Sequence, residues 1–342
     1  MKKTLVLLLA VLLIFSALVC FLHIGRSDSP IPVRVLILPK FEIGEITGDD
    51  PGEAQLYYER YLTDCDTYEI PGGYEDHPLY VKDGVALYVT GMGKVNAALS
   101  LNALLLDSRF DFSDAFVIST GCAGAAYGTS TLGDVVLVSA AVDYDLGHHA
   151  DARELEDPEG STWFYAEDYA DASVRMLDSD LIRRCFELVK DVPLETTEMT
   201  RQFLRLTFPG EEWVNREPCV LVGTTVTGDN YWKGIYDHEN ALKITEQYRC
   251  PDPFAVTEME DLALAITMDR AGKLDHYLSI RDSVDLDIFE NGFTPESLWS
   301  PGAAENLVDE ISAETLDLFP VGMENNFKVG SVIVDAILDG TL

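Results

Sequence analysis

Four short stretches of this chain combine turn-forming residues with side chains that can do chemistry, each expected at the end of a strand. The first reads Thr90-Gly91-Met92-Gly93-Lys94-Val95-Asn96. Glycines between a strand and a helix let backbone amides approach a ligand at the helix N-terminus. Gly91, Gly93 and Asn96 are therefore candidates for a phosphate or water pocket. The G-x-G is neither a dinucleotide fingerprint, which needs a third glycine, nor a P-loop. The second stretch, Ser119-Thr120-Gly121-Cys122-Ala123-Gly124-Ala125, has small side chains that clear space for a flat ligand. The third, Thr227-Gly228-Asp229-Asn230-Tyr231-Trp232, offers two adjacent aromatics that can stack on a planar base. The fourth pairs Glu258-Met259-Glu260-Asp261 with Arg281-Asp282-Ser283-Val284-Asp285. Carboxylates here can grip vicinal hydroxyls, since each oxygen accepts hydrogen bonds, and an aspartate at a strand end can supply a proton.

These stretches need a scaffold, and the hydrophobic pattern provides one. Residues 33–38, 85–90, 115–119, 135–140, 220–226 and 277–280 read as strands, the last a short one, and residues 94–106 and 254–268 as helices. Alternation of strand, turn and helix means an α/β domain with a mostly parallel sheet, active at the carboxyl ends of its strands. His148-His149 reads as a polar loop, because adjacent histidines point apart and no third metal ligand lies near in sequence.

The chain has 342 residues, with 24 basic and 59 acidic side chains and a formal net charge of −35. Three of the bases (Lys2, Lys3, Arg26) and none of the acids fall in residues 1–26, which sharpens the acidity of the remainder. Such a surface excludes nucleic acid as a partner, because phosphates demand Lys and Arg. Hydrophobic residues at 47% supply ample core and exclude disorder. Residues 4–24 carry no formal charge and would reach about 31 Å as a helix, enough to cross a bilayer. With two lysines before it and no small-residue cleavage site after it, residues 1–26 fit a signal-anchor, with a cleaved signal peptide as the alternative. Either way the body is expected to be exported, to a cell-surface, periplasmic or extracellular place, after a linker at residues 27–32. Cys65, Cys122, Cys185, Cys219 and Cys250 leave an odd number in the body, so two disulfides plus a thiol are open and unpaired by sequence.

Taken together, the four stretches resemble the nucleoside phosphorylase superfamily, especially its 5′-methylthioadenosine/S-adenosylhomocysteine nucleosidase branch. The marks are the G-x-G-K-V turn, the T-G-x-A-G turn, the T-G-D-x-aromatic segment, the E-M-E stretch and the arginine-to-aspartate run. Residues 31–340 are closer still to the purine nucleoside permease family, through Thr131-Leu132-Gly133-Asp134, Asp151-Ala152-Arg153-Glu154, Gly228-Asp229-Asn230-Tyr231-Trp232 and Glu324-Asn325-Asn326-Phe327-Lys328-Val329-Gly330. The resemblance implies one three-layer α/β domain of nucleoside phosphorylase type over residues 33–342, with a mixed, mostly parallel central sheet. It implies a purine nucleoside as ligand, no cofactor, no metal, and a homo-oligomer by analogy. Met259 and Glu260, with Glu258 beside them, fall where ribose is held. Tyr231 and Trp232, with Gly121, Cys122 and Ala123, fall at the purine, and Asp285 at the aspartate that protonates it. Glu42 or Glu45 falls near the base that activates water. Val284 replaces the usual serine, Asn96 replaces a phosphate-binding serine, and the first strand lacks the Gly-Asp-Pro and arginine that grip phosphate. The implied activity is N-glycosidic cleavage with water, phosphorolysis being less favoured; the alternative is a non-catalytic nucleoside-binding transport component.

Overall fold

The computed structural model describes residues 29–342, apart from 158–159, 165–168, 214–215 and 290–303, with the last helix's side chains from Leu318 onward. Residues 1–26, expected to form the signal-anchor, lie outside the described residues. Among the described residues no helix is long and apolar enough to cross a membrane.

A ten-stranded sheet forms the frame. Its strands are β1 (Val35–Leu38), β2 (Asp66–Tyr68), β3 (Leu79–Lys82), β4 (Val85–Leu87), β5 (Phe116–Ala125), β6 (Val135–Asp143), β7 (Val174–Met176), β8 (Val220–Thr227), β9 (Phe254–Glu258) and β10 (Tyr277–Leu286). They run in the order β7-β6-β8-β9-β5-β1-β4-β3-β2, and β10 bridges β5 and β6. The strands β6, β8, β9, β5 and β10 thereby close on themselves as a ring. The sheet is mixed. Its long pairings, such as β10 on β5 and β8 on β6, are parallel, and the antiparallel contacts span two or three residues each. All nine residues of β6 are buried, as a parallel strand covered on both faces requires.

The helices are α1 (Gln55–Tyr61), α2 (Lys94–Leu106), α3 (Ser179–Val189), α4 (Glu198–Thr207), α5 (Ile235–Gln247), α6 (Asp261–Arg270) and α7 (Ala304–Asp339). Asp178 and Thr197 cap α3 and α4 by accepting the amides of Leu181 and Thr200. α2 packs on α6, while α7 lies over β10 and β5 with α1 and α3 beside it. Alternation along β10 serves both layers: Arg281 turns to α6 and Asp282 to α7.

Two expectations change. Residues 254–268 are not one helix: Phe254–Glu258 is the strand β9, and the helix begins at Asp261. The run Phe-Ala-Val-Thr is aromatic and β-branched and sits between β8 and β5, where propensity and pairing agree on a strand. The strands at 115–119 and 277–280 also run on, to Ala125 and Leu286. The small residues after Ser119 and the charged residues after Ile280 are thus within paired strands, not in loops. All five body cysteines are free thiols.

Candidate functional site

A cavity of about 150 Å³ opens at the strand ends around the β5–β9–β10 junction. Its carboxylate-rich end is built from the last residue of β9, the first turn of α6 and the middle of β10. Arg281, 1% exposed, projects from β10 into this cluster. Its Nη2 lies 2.7 Å from Asp261, 3.1 Å from Glu258 and 3.4 Å from Glu260. A planar fork with five donors suits this bracketing, which an ammonium could not reproduce. Burial would raise Asp261, but Arg281, Lys40 and the Ser279 hydroxyl together outweigh it and hold that carboxyl at about 2. Burial, then the charge of Asp261, pushes Glu258 up to about 7, and burial also raises Glu260.

The two glutamates have different partners. Glu258 accepts the amides of Glu260 at 2.6 Å and Asp261 at 2.7 Å, and the hydroxyls of Thr225 and Thr227. Glu258 therefore caps α6 as well as lining the cavity. Glu260 accepts the Gly93 amide at 2.9 Å and otherwise faces the cavity with Met259.

A third glutamate, Glu53, enters this end from the start of α1. It accepts the Lys40 amide at 2.7 Å and the Cys122 amide at 2.9 Å. Gly121 makes this possible: with φ +151°, a Cβ there would sit 2.3 Å from the Glu53 carboxylate. Lys40 is also buried, its Nζ donating to Leu38 O (2.8 Å), Ser119 Oγ (2.7 Å) and Thr120 O (2.9 Å). Burial, then the repulsion of Arg281, lowers the Lys40 ammonium below its usual value. Glu53, Glu258, Glu260 and Asp261 thus share this end with two cations, and its carboxylates can favour a developing positive charge.

The aromatic end is made by the loop between β8 and α5 and by the end of β10. The pairing of β10 with β5 slips at Val284, a bulge that turns both Val284 and Asp285 toward the cavity. Asp285 accepts the Tyr231 hydroxyl, the Lys233 ammonium at 2.9 Å and the Leu286 amide at 2.8 Å. Trp232 stacks on Tyr144, with centroids 4.9 Å apart, and one edge of it lines the cavity. Cys122 and Ala123 line the cavity as expected, and burial pushes the Cys122 thiol well above its ordinary value.

In the turn expected to hold phosphate or water, two backbone amides already serve the chain's own carboxylates. The Gly93 amide is taken by Glu260 and the Lys94 amide by Asp229, at 2.8 Å. Gly91 is backed by the Tyr74 ring, where a Cβ would meet it at 2.6 Å. Asn96 is exposed and turns back to Met92 O. Two further candidates are displaced. Glu42 caps α1 through the amides of Gly52, Ala54 and Gln55, and Glu45 stands on an exposed loop. Glu53, and neither of these two, lines the cavity. His148 and His149 form a short exposed strand, with His149 Nε2 3.1 Å from Tyr144 O. Among the described residues no group of His, Cys, Asp and Glu is arranged to hold a metal.

The sequence-based reading missed Glu53, Lys40, Arg281 and Lys233 as site residues. Lys40 carried a signal, a lone cation directly after the apolar run of β1. Arg281 stood in a quoted motif without a role, and nothing local marks Glu53.

With this geometry in hand, the relatives of the chain can be placed beside it. Residues 32–341 match the model of the family described as purine nucleoside permease (NUP). A Schizosaccharomyces pombe protein named "Probable purine nucleoside permease" is 28% identical over 273 residues, covering 73% of this chain and 74% of its own length. A 5′-methylthioadenosine/S-adenosylhomocysteine nucleosidase of Maridesulfovibrio salexigens is 29% identical over 184 residues, 54% of this chain and 61% of its own length. Among solved structures, the nucleosidase of Neisseria meningitidis in complex with methylthio-immucillin-A superposes with TM-score 0.53 at 17% identity, over 89% of this chain and 99% of that one. The Helicobacter pylori nucleosidase gives TM-score 0.54 at 13% identity, over 89% and 99%. Those structures share the fold of this chain, and the family match extends over nearly all of its described residues: the chain belongs to the purine nucleoside permease family.

Proposed function

We propose that the protein cleaves the N-glycosidic bond of purine nucleosides with water as the nucleophile. The observation that carries this reading is the opposition of Glu53 and Glu260 at one end of the cavity to Asp285 at the other. Cleavage builds positive charge on the sugar and negative charge on the departing base. Glu260 suits the vicinal hydroxyls, with Met259 against the ring, and its charge favours the oxocarbenium-like state. Glu53 suits the role of the base that takes a proton from water, in place of Glu42 or Glu45. Tyr231 and Trp232 suit the purine, and Asp285 its N7. Water is preferred to phosphate because the Gly93 and Lys94 amides at the glycine turn already carry Glu260 and Asp229.

The test is incubation of the purified protein with inosine, adenosine, guanosine and 5′-methylthioadenosine, with and without phosphate, following free base by chromatography. Release of base in the absence of phosphate is the expected result. Release that requires phosphate would overturn the choice of nucleophile. Absence of release, with thermal stabilisation by a nucleoside, would hand the site to a second reading, nucleoside capture for transport. The family's name favours that second reading. Export, attachment through residues 4–24 and self-association belong to the proposal too; protease shaving of intact cells and light scattering test them.

A further inference from the structure

Paired with Asp285 at the cavity's aromatic end is a cation that the mechanism above does not use. Lys233 is 8% exposed and lies on the loop that carries Tyr231 and Trp232. Its Nζ meets Asp285 Oδ1 at 2.9 Å. The contact is built, not incidental. The next residue, Gly234, donates its amide to Asp287 O at 2.8 Å. The side chain of Asp287 is held in turn by His238 Nδ1 at 2.6 Å and by the Tyr127 amide at 2.9 Å. The loop is thereby pinned to the end of β10 just beyond Asp285.

Asp285 receives hydrogen bonds from Lys233, Tyr231 and Leu286, so in this arrangement it is an acceptor. An acceptor cannot give a departing purine a proton it does not hold. The geometry points to Lys233 as the positioning residue that supplies this proton through Asp285, an inference that rests on reading the cavity as a nucleosidase site. As the C1′–N9 bond breaks, its electron pair leaves on the purine. The Nζ–H bond of Lys233 breaks as its proton passes to Asp285, and Asp285 hands that proton on to N7, returning to the carboxylate. Water bonds to C1′ through oxygen and loses a proton to Glu53. Lys233 ends neutral, Asp285 unchanged and Glu53 protonated; solvent then carries the proton from Glu53 back to Lys233. Tyr231 is the weaker source. Ionising it beside Asp285 would set two negative charges together, whereas deprotonating Lys233 leaves one. Tyr231 is also 60% exposed.

A leaving-group comparison tests this. 7-Methylguanosine already carries a positive base and needs no proton to depart, whereas inosine does. In Lys233→Gln, kcat for inosine should fall about 10²-fold or more, the range of general-acid catalysis, with KM little changed. The same variant should cleave 7-methylguanosine within about threefold of wild type, and Lys233→Arg should recover part of the inosine rate. Equal losses on both substrates would make Lys233 merely structural and overturn the proposal. So would an unchanged inosine rate, or the same selective loss in Tyr231→Phe but not in Lys233→Gln. Wild-type protein that cleaves neither nucleoside overturns the nucleosidase reading itself, and this inference with it.

Discussion

The two ends of the cavity are built on opposite principles. At the carboxylate-rich end Arg281, Glu258, Glu260 and Asp261 come from a strand or a strand–helix junction, and these four and Lys40 are each at most 6% exposed. Their positions are set by ladder pairing and by one another, before any ligand arrives. At the aromatic end Tyr231 and Trp232 ride on a loop, and Tyr231 is 60% exposed. Sites on strands are held more tightly than sites on loops, and loops change with less cost to the frame. The difference separates duties. The rigid end suits a part common to all ligands of the class, such as a sugar, and the adaptable end suits the part that distinguishes them.

The sharpest way to break this comparison is to remove the centre of the rigid end. Arg281→Met leaves Glu258, Glu260 and Asp261 buried without their shared cation, and truncating one side of a buried ion cluster costs about 3–5 kcal/mol. Urea unfolding should show that loss, while Trp232→Phe at the other end should cost only about 1 kcal/mol. A small loss for Arg281→Met would mean that the cluster is not organised around it. Next in size is Glu53→Gln, which should lower kcat by about 10²–10⁴-fold with little change in KM. Steady-state kinetics on a cleaved nucleoside check it, with retained thermal stability as the control. An unaltered kcat would remove Glu53 from the chemistry.

The same contrast explains what could be read from the sequence. Six strands were legible because their apolar runs are continuous, and the glycine turn followed by α2 was legible from its composition. Met259, Glu260, Asp285 and the aromatic pair reached the cavity because their motifs lie on adjacent strand ends. Glu53 was not legible. Its partners are backbone amides 13 and 69 residues away, brought together by a loop of no regular pattern and a seven-residue helix. The capping role of Glu258 depended on where α6 begins, and apolar periodicity placed that start too early. Asn96 failed for a helical reason: two residues, or about 200°, beyond Lys94, it turns to the exposed side of α2.

Adjacent to Arg281, a second comparison can be drawn by pH. Asp261 and Asp282 are both buried, but only Asp261 bonds the guanidinium. Asp282 Oδ1 accepts from Asn326 at 3.0 Å, and its Oδ2 has no partner. Burial, then the charge of Glu53, raises Asp282 to about 7. Because the folded state holds this proton more tightly than the unfolded chain, stability should fall as pH rises from about 4 to about 7 and level off above. Asp261, held at about 2, acts in the other direction: its contribution is present above about 4 and lost as pH falls towards 2. Asp282→Asn should therefore match wild type near pH 4 and gain on it up to pH 7, by at most about 1.4 kcal/mol per pH unit. Melting temperatures between pH 4 and 8 measure the difference. A constant offset across that range would show that Asp282 does not titrate there.

The smallest expected effect separates the two glutamates at the start of α1. Glu42 reaches the amides of Gly52, Ala54 and Gln55, whereas Glu53, next to Ala54, turns into the cavity. One therefore fastens the helix that the other uses as a platform. Glu42→Ala removes a carboxylate cap, and losing such a cap costs about 1 kcal/mol. It leaves the two amides that hold the Glu53 carboxylate in place, those of Lys40 and Cys122. Stability should fall by about that amount in urea, with kcat within about threefold of wild type, far from the 10²-fold expected of a lost general base. If Glu42→Ala instead abolished turnover while Glu53→Gln spared it, the rigid end would have been assigned its wrong carboxylate. The water would then be activated from the loop side of the cavity, and the division between a fixed end and an adaptable end would fall with that assignment.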